Sequence, residues 1–169
     1  MEHVHEFLGW AWGRHHNELS WYVRAPLTVP FCYFAYKRNL VGVVTTLVAI
    51  VTSMFWFPAP ESVDGNTATF LEVERRYVEQ PWTLAKVTLL ALIPIWFAAV
   101  TWAFWNRSWL VGLAVVNAGV LAKILWSFDV ARTAAWSIIP AVVLGLVVTN
   151  AVFWWAYRNR HRIAPASRG

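Results

Sequence analysis

Three cations stand where cations are costly. Arg24, Lys86 and Lys123 each fall a turn or two inside an apolar stretch. A charge in hydrocarbon must snorkel, pair or serve a ligand. Two chemistries follow. One is structural, with the cations pairing to Glu72, Glu74, Glu79 or Asp129. The other is a cationic pocket for an anionic group, such as a lipid phosphate, a carboxylate or a quinone oxygen. In that pocket arginine would bind bidentately and lysine as a point charge. Asn117 and Asn150 are mid-stretch amides. They can hydrogen-bond across helices or contribute to the same site.

The remaining polar residues exclude more than they suggest. No G-x-S-x-G, H-E-x-x-H, P-loop or glycine-rich dinucleotide fingerprint is present. Ser127 and Asp129 have no histidine nearby to complete a nucleophile set. The apolar stretches hold no Asp or Glu, which counts against a proton-coupled carrier. His3, His5, His15 and His16 are weak metal candidates. On one helix the near neighbours point apart, and His5 and His16 would lie about 16 Å from each other. Cys32 is the single cysteine, so a disulfide or thiolate cluster within this chain is excluded. No cofactor is expected, and the basic tail is too short for a nucleic-acid surface.

The elements that must position these residues read as membrane spans. Of 169 residues, 59% are hydrophobic and 14% charged. Charged residues normally make up about a quarter of a soluble domain, and so short a chain could not bury this much apolar surface. The expected fold is all-α, a polytopic membrane helical bundle in one domain, 1–169. Trp109–Phe128 is the clearest span, with tryptophan near both ends. The others are 19–36, 40–57, 82–105 and 134–157, about five in all. Pro26 and Pro30 disturb the first, Pro94 kinks the third, and Pro140 opens the fifth. Residues 2–18 read as a surface helix. The loop 58–81 should carry another, 70–79, opened by a capping box at Thr69 and Glu72 and showing Glu72, Glu74, Tyr77 and Glu79 to a partner. No internal repeat of fixed period is visible.

Charge sets the orientation. The turns at 37–39 and 106–108 and the tail 158–169 carry Lys and Arg without any acid. The positive-inside rule makes that side cytoplasmic, with the N-terminus outside, in an inner or plasma membrane. Tryptophans cluster at both expected boundaries, Trp96 alone falling near mid-span. Small residues recur every fourth position at Ala114, Ala118 and Ala122, and at Ser137, Ala141, Gly145 and Thr149. Such stripes let helices approach closely, within the bundle or against another subunit. The leading expectation is a non-catalytic accessory or assembly subunit of a membrane complex, with lipids and a protein partner or second copy around it. The alternative is a carrier or channel for lipid or small anions that uses the cationic pocket. A membrane enzyme ranks third.

Overall fold

The computed structural model describes residues 2–159, all of whose regular structure is helical. The elements are α1 (Glu2–His15), α2 (Leu19–Arg24), α3 (Thr28–Tyr36), α4 (Leu40–Thr52), α5 (Gly65–Glu79), α6 (Leu84–Trp105), α7 (Trp109–Ala131) and α8 (Ile139–Arg158). Short 3₁₀ turns follow α4 at Ser53–Phe55 and precede α8 at Arg132–Ile138.

Two helical stretches are long and apolar enough to cross a membrane, Leu84–Trp105 and Trp109–Arg158. The second folds back on itself. Asn117 and Asn150 lie in hydrogen-bond contact, whereas 33 residues of straight helix would part them by about 50 Å. The fold is made at Arg132, whose φ of 48° turns the chain. Protein covers little of either stretch: the apolar windows are 17% and 28% buried. A core helix of a soluble protein would be largely covered.

The expected first span is broken. Pro26 removes a backbone donor, and α2 and α3 are separate short helices joined by a turn at 25–27 in which Ala25 itself keeps helical dihedrals. The second stretch is also shorter than expected, since the α-helix gives way to a 3₁₀ turn at Ser53. The surface helix is longer, and its cap lies elsewhere. Asp64 accepts hydrogen bonds from the N–H groups of Asn66 and Thr67 and so starts α5 five residues before Thr69. Thr69 is already helical and its hydroxyl donates back to Gly65 O. Asp at an N-cap is at least as good as Thr, so the earlier cap wins.

The connections α3–α4 and α6–α7 are built alike. In each the chain closes a Schellman turn. Asn39 N–H reaches Phe34 O and Arg38 N–H reaches Ala35 O; Ser108 N–H reaches Ala103 O and Arg107 N–H reaches Phe104 O. The left-handed position, which favours glycine, is held by arginine both times: φ is 56° at Arg38 and 57° at Arg107. Each following helix then uses a glycine for close approach. A Cβ on Gly42 would strike the Phe34 ring, and one on Gly112 the Phe104 ring. The two turns also interlock. Arg38 Nε donates to Trp105 O at 3.0 Å, and the Arg107 guanidinium lies 5.8 Å from the Tyr36 ring.

Two apolar clusters hold the molecule. One joins Phe31, Cys32, Ala35, Val43, Ile50, Val100, Phe104, Val116 and Phe153. The other joins Phe70 and Leu71 of α5 to Ala131, Ala134, Ala135 and Ile138. Trp12 and Trp21 close it from the N-terminal side. Trp96 has its own explanation: its Nε1 donates to Val115 O at 2.8 Å, and Gly119 leaves room for the indole. A mid-helix tryptophan is thereby satisfied without water.

Candidate functional site

The charged residues separate to opposite ends of the helices. At one end lie Lys37, Arg38, Arg107 and Arg158, joined through Tyr36, Trp109 and Phe153. At the other lie α1, α5 and the 132–138 turn, where Glu74 of α5 reaches Lys123 of α7. The candidate site is at this second end.

Glu74 is its centre. Its Oε1 accepts from Lys123 Nζ at 2.8 Å, and its Oε2 lies 3.9 Å from His15 Nε2. Arg24 feels the same carboxylate electrostatically while its Nε donates to Ser53 Oγ at 3.2 Å. Burial opposes ionisation of Glu74. The His15 ring and the Lys123 ammonium outweigh it and hold the carboxyl down to about 2. Lys123 also lies over Trp126 at 4.5 Å and Phe70 at 5.6 Å, so its stem and head are both engaged.

Lys86 stands apart. Its Nζ donates to Val78 O and Gln80 O at 2.7 Å each. These are carbonyls at the C-terminal end of α5, where the helix dipole favours a cation. Trp82 and Tyr77 flank the ammonium at 4.6 and 5.4 Å. Lys86 is nearly covered and borders a shallow groove of about 350 Å3 lined also by Tyr77, Gln80, Pro81 and Leu89. Of the three cations singled out in the sequence, then, Lys123 pairs with Glu74, while Arg24 bonds Ser53 and feels Glu74 only at longer range. Lys86 closes the next turn of α5.

The amides form one closed unit. Asn117 Nδ2 donates to Asn150 Oδ1 at 3.2 Å, and Asn150 Nδ2 returns a bond to Asn117 Oδ1 at 3.0 Å. Their remaining amide protons go to Leu113 O and Leu146 O. Both side-chain donors of each residue are used.

The expected docking face is divided. Glu72 and Glu79 point outward, in pairs with Arg76 and Arg75 at 2.9 and 2.8 Å. Glu74 and Tyr77 turn inward, Tyr77 meeting Trp126 edge-on at 5.5 Å. The small-residue stripes differ in the same way. Ala141, Gly145 and Thr149 are buried, Gly145 directly beneath Ala25, while Ser137 is half-buried and donates to Ala134 O. Ala114, Ala118 and Ala122 are all exposed.

The histidines do not gather. His3 pairs with Glu6, His16 Nδ1 contacts Trp12 O at 2.8 Å, and His15 faces Glu74. The side chain of His5 lies outside the described residues, as do Arg160, Arg162 and Arg168. Among the described residues no three His, Cys, Asp or Glu converge as a metal site would require.

Several contributors were not singled out in the sequence. Arg14 Nη1 donates to Phe55 O and Phe57 O and straps α1 to the end of α4. Thr67 donates to Glu18 at 2.6 Å, joining α5 to the start of α2. Ser20 is buried, its hydroxyl lacking a hydrogen-bond partner among the described residues. Comparison with known protein families, curated proteins and solved structures yields no match to this chain.

Proposed function

We propose that the protein is a five-span membrane bundle acting as a non-catalytic accessory or assembly subunit of a larger membrane complex. In this reading α2 and α3 together form the first crossing, α4 with its 3₁₀ turn the second, and α6, α7 and α8 the rest. The carboxylate-bearing end faces out and the arginine-rich end the cytoplasm.

The observation that carries it is the bare alanine stripe of α7. Ala114, Ala118 and Ala122 are exposed and bordered by exposed Leu110, Leu121 and Leu125. A row of small residues facing lipid lowers the cost of a close helix approach. The corresponding row on α8 is consumed inside the chain. The candidate ligand groups support the same reading, because Lys123, Arg24, Asn117 and Asn150 are each answered by the chain itself.

The test is purification of the tagged full chain in mild detergent. A stoichiometric membrane partner, or a second copy, should remain bound. Ala118→Phe should release it while the protein stays folded and monodisperse. A lone monomer that moves anions across liposomes would instead establish the carrier reading, for which the Lys86 groove is the surviving candidate.

A further inference from the structure

We infer that the arginine-rich end is a seat for the phosphates of acidic phospholipids, built from Lys37, Arg38, Arg107 and Arg158. The inference rests on the membrane reading above and goes beyond it by naming a ligand class and its residues.

The first observation is an imbalance of charge. At the opposite end three exposed cations have carboxylate partners, Lys123 with Glu74, Arg75 with Glu79 and Arg76 with Glu72, and Arg132 alone of the exposed ones is in no described ion pair. At this end no exposed cation has such a partner among the described residues. Lys37, Arg38, Arg107 and Arg158 are all exposed, and no described ion pair involves any of them. The sequence beyond Asn159 adds no acid either. Four guanidinium and ammonium groups therefore share one end with no carboxylate partner among the described residues.

The second observation is how they are held. Each rests on an aromatic ring or a helix-end carbonyl. Lys37 lies 5.7 Å from the Tyr33 ring, Arg107 5.8 Å from Tyr36, and Arg158 5.8 Å from Trp154. Arg38 donates to Trp105 O. Contacts of this kind orient a cation and leave its charge uncompensated. Beside Arg158 a groove of about 460 Å3 is lined by Trp154, Trp155 and Asn159. Both tryptophans are exposed, as expected of rings at headgroup depth.

The third observation is backbone cost. Arg38 and Arg107 occupy left-handed positions where glycine would be unstrained. The two interhelical turns accept this strain at the same position and with the same side chain. A guanidinium presented from a fixed turn is suited to bidentate phosphate contact. Acidic lipids are the source of phosphate this surface would meet, since it lies at the ends of α3, α6 and α8, where the apolar helices stop.

The strained turns also supply a clean test. In Arg107→Gly the turn should keep its geometry and the fold its thermal stability, because glycine suits that φ. The probes are vesicles of equal phosphatidylglycerol and phosphatidylcholine, from which the full chain is extracted in mild detergent and its bound lipids counted by native mass spectrometry. Wild type should retain phosphatidylglycerol in preference. Arg107→Gly and Arg158→Gln should each cut that preference by about fivefold, the worth of one basic residue at an anionic surface. Arg76→Gln, at the far end, should leave it unchanged. Equal retention of both lipids by wild type, or an unaltered preference in both end variants, overturns the inference. Saturable binding of inorganic phosphate in phosphatidylcholine vesicles would mark a soluble-anion site and overturn the lipid assignment. Failure to enter either vesicle would overturn the membrane reading itself, a result distinct from the others.

Discussion

Lys123 Nζ lies 2.8 Å from Glu74 Oε1, and this contact ties the long helix α7 to the surface helix α5. It joins residues 49 apart. Below it the apolar cluster of Phe70, Leu71 and Ala131 continues the same interface. The ion pair is therefore part of how α5 is seated over the bundle.

Stability should fall in acid because of Glu74. Its carboxyl is held near 2, below the usual glutamate value of about 4.3. A depressed folded pKa contributes stability that is full above the unfolded pKa and is lost as pH falls toward the folded one. The loss should run from about pH 4.5 to about pH 2. Lys123 is about half exposed, so screening limits the effect to about 1–2 kcal/mol. Thermal unfolding in detergent across that range should show the decline, and Glu74→Gln should flatten it. A Glu74→Gln profile as steep as wild type would remove Glu74 as the cause.

The amide pair should couple α7 to α8. Each partner loses its reciprocal bond when the other is removed. A double-mutant cycle of Asn117→Ala and Asn150→Ala should give a coupling of about 0.6–1.7 kcal/mol, the range for hydrogen bonds between membrane helices. Additive single effects in an unfolding titration would mean that the pair is geometrically close yet energetically idle.

The start of α5 discriminates two caps. Asp64→Ala should destabilise the helix by about 1 kcal/mol, because two N–H groups lose their acceptor. Thr69→Ala should change stability little, since its hydroxyl only bonds back to Gly65 O. Hydrogen exchange at Asn66 and Thr67 is the direct readout. Faster exchange there in Thr69→Ala than in Asp64→Ala would restore the later cap.

What could be read in advance was periodicity and charge. The all-helical class, the long apolar stretches and the clustering of Lys and Arg in short turns are all local properties of the chain. The pairing of Asn117 with Asn150 was within reach, because two amides on neighbouring apolar helices have few other partners. Which acid meets Lys123 was not, since Glu72, Glu74, Glu79 and Asp129 are equally available until α5 is rotated. Burial of Phe70 and Leu71 fixes that rotation and selects Glu74. The break at Pro26 was signalled, but its form depends on α2 packing against α8 through Ala25 and Gly145. Both turns show a central arginine in sequence, but their shared left-handed backbone and paired hydrogen bonds are visible only once the chain is folded, because arginine does not ordinarily mark that conformation.

Labelling of single cysteines in intact membrane vesicles tests the central claim most directly. Buried Cys32 gives a quiet background, and Ser62→Cys and Asn106→Cys report the two ends. The account predicts that a membrane-impermeant maleimide reaches residue 62 from outside and residue 106 only after the membrane is opened. Labelling of both positions from one side of a sealed membrane would contradict it.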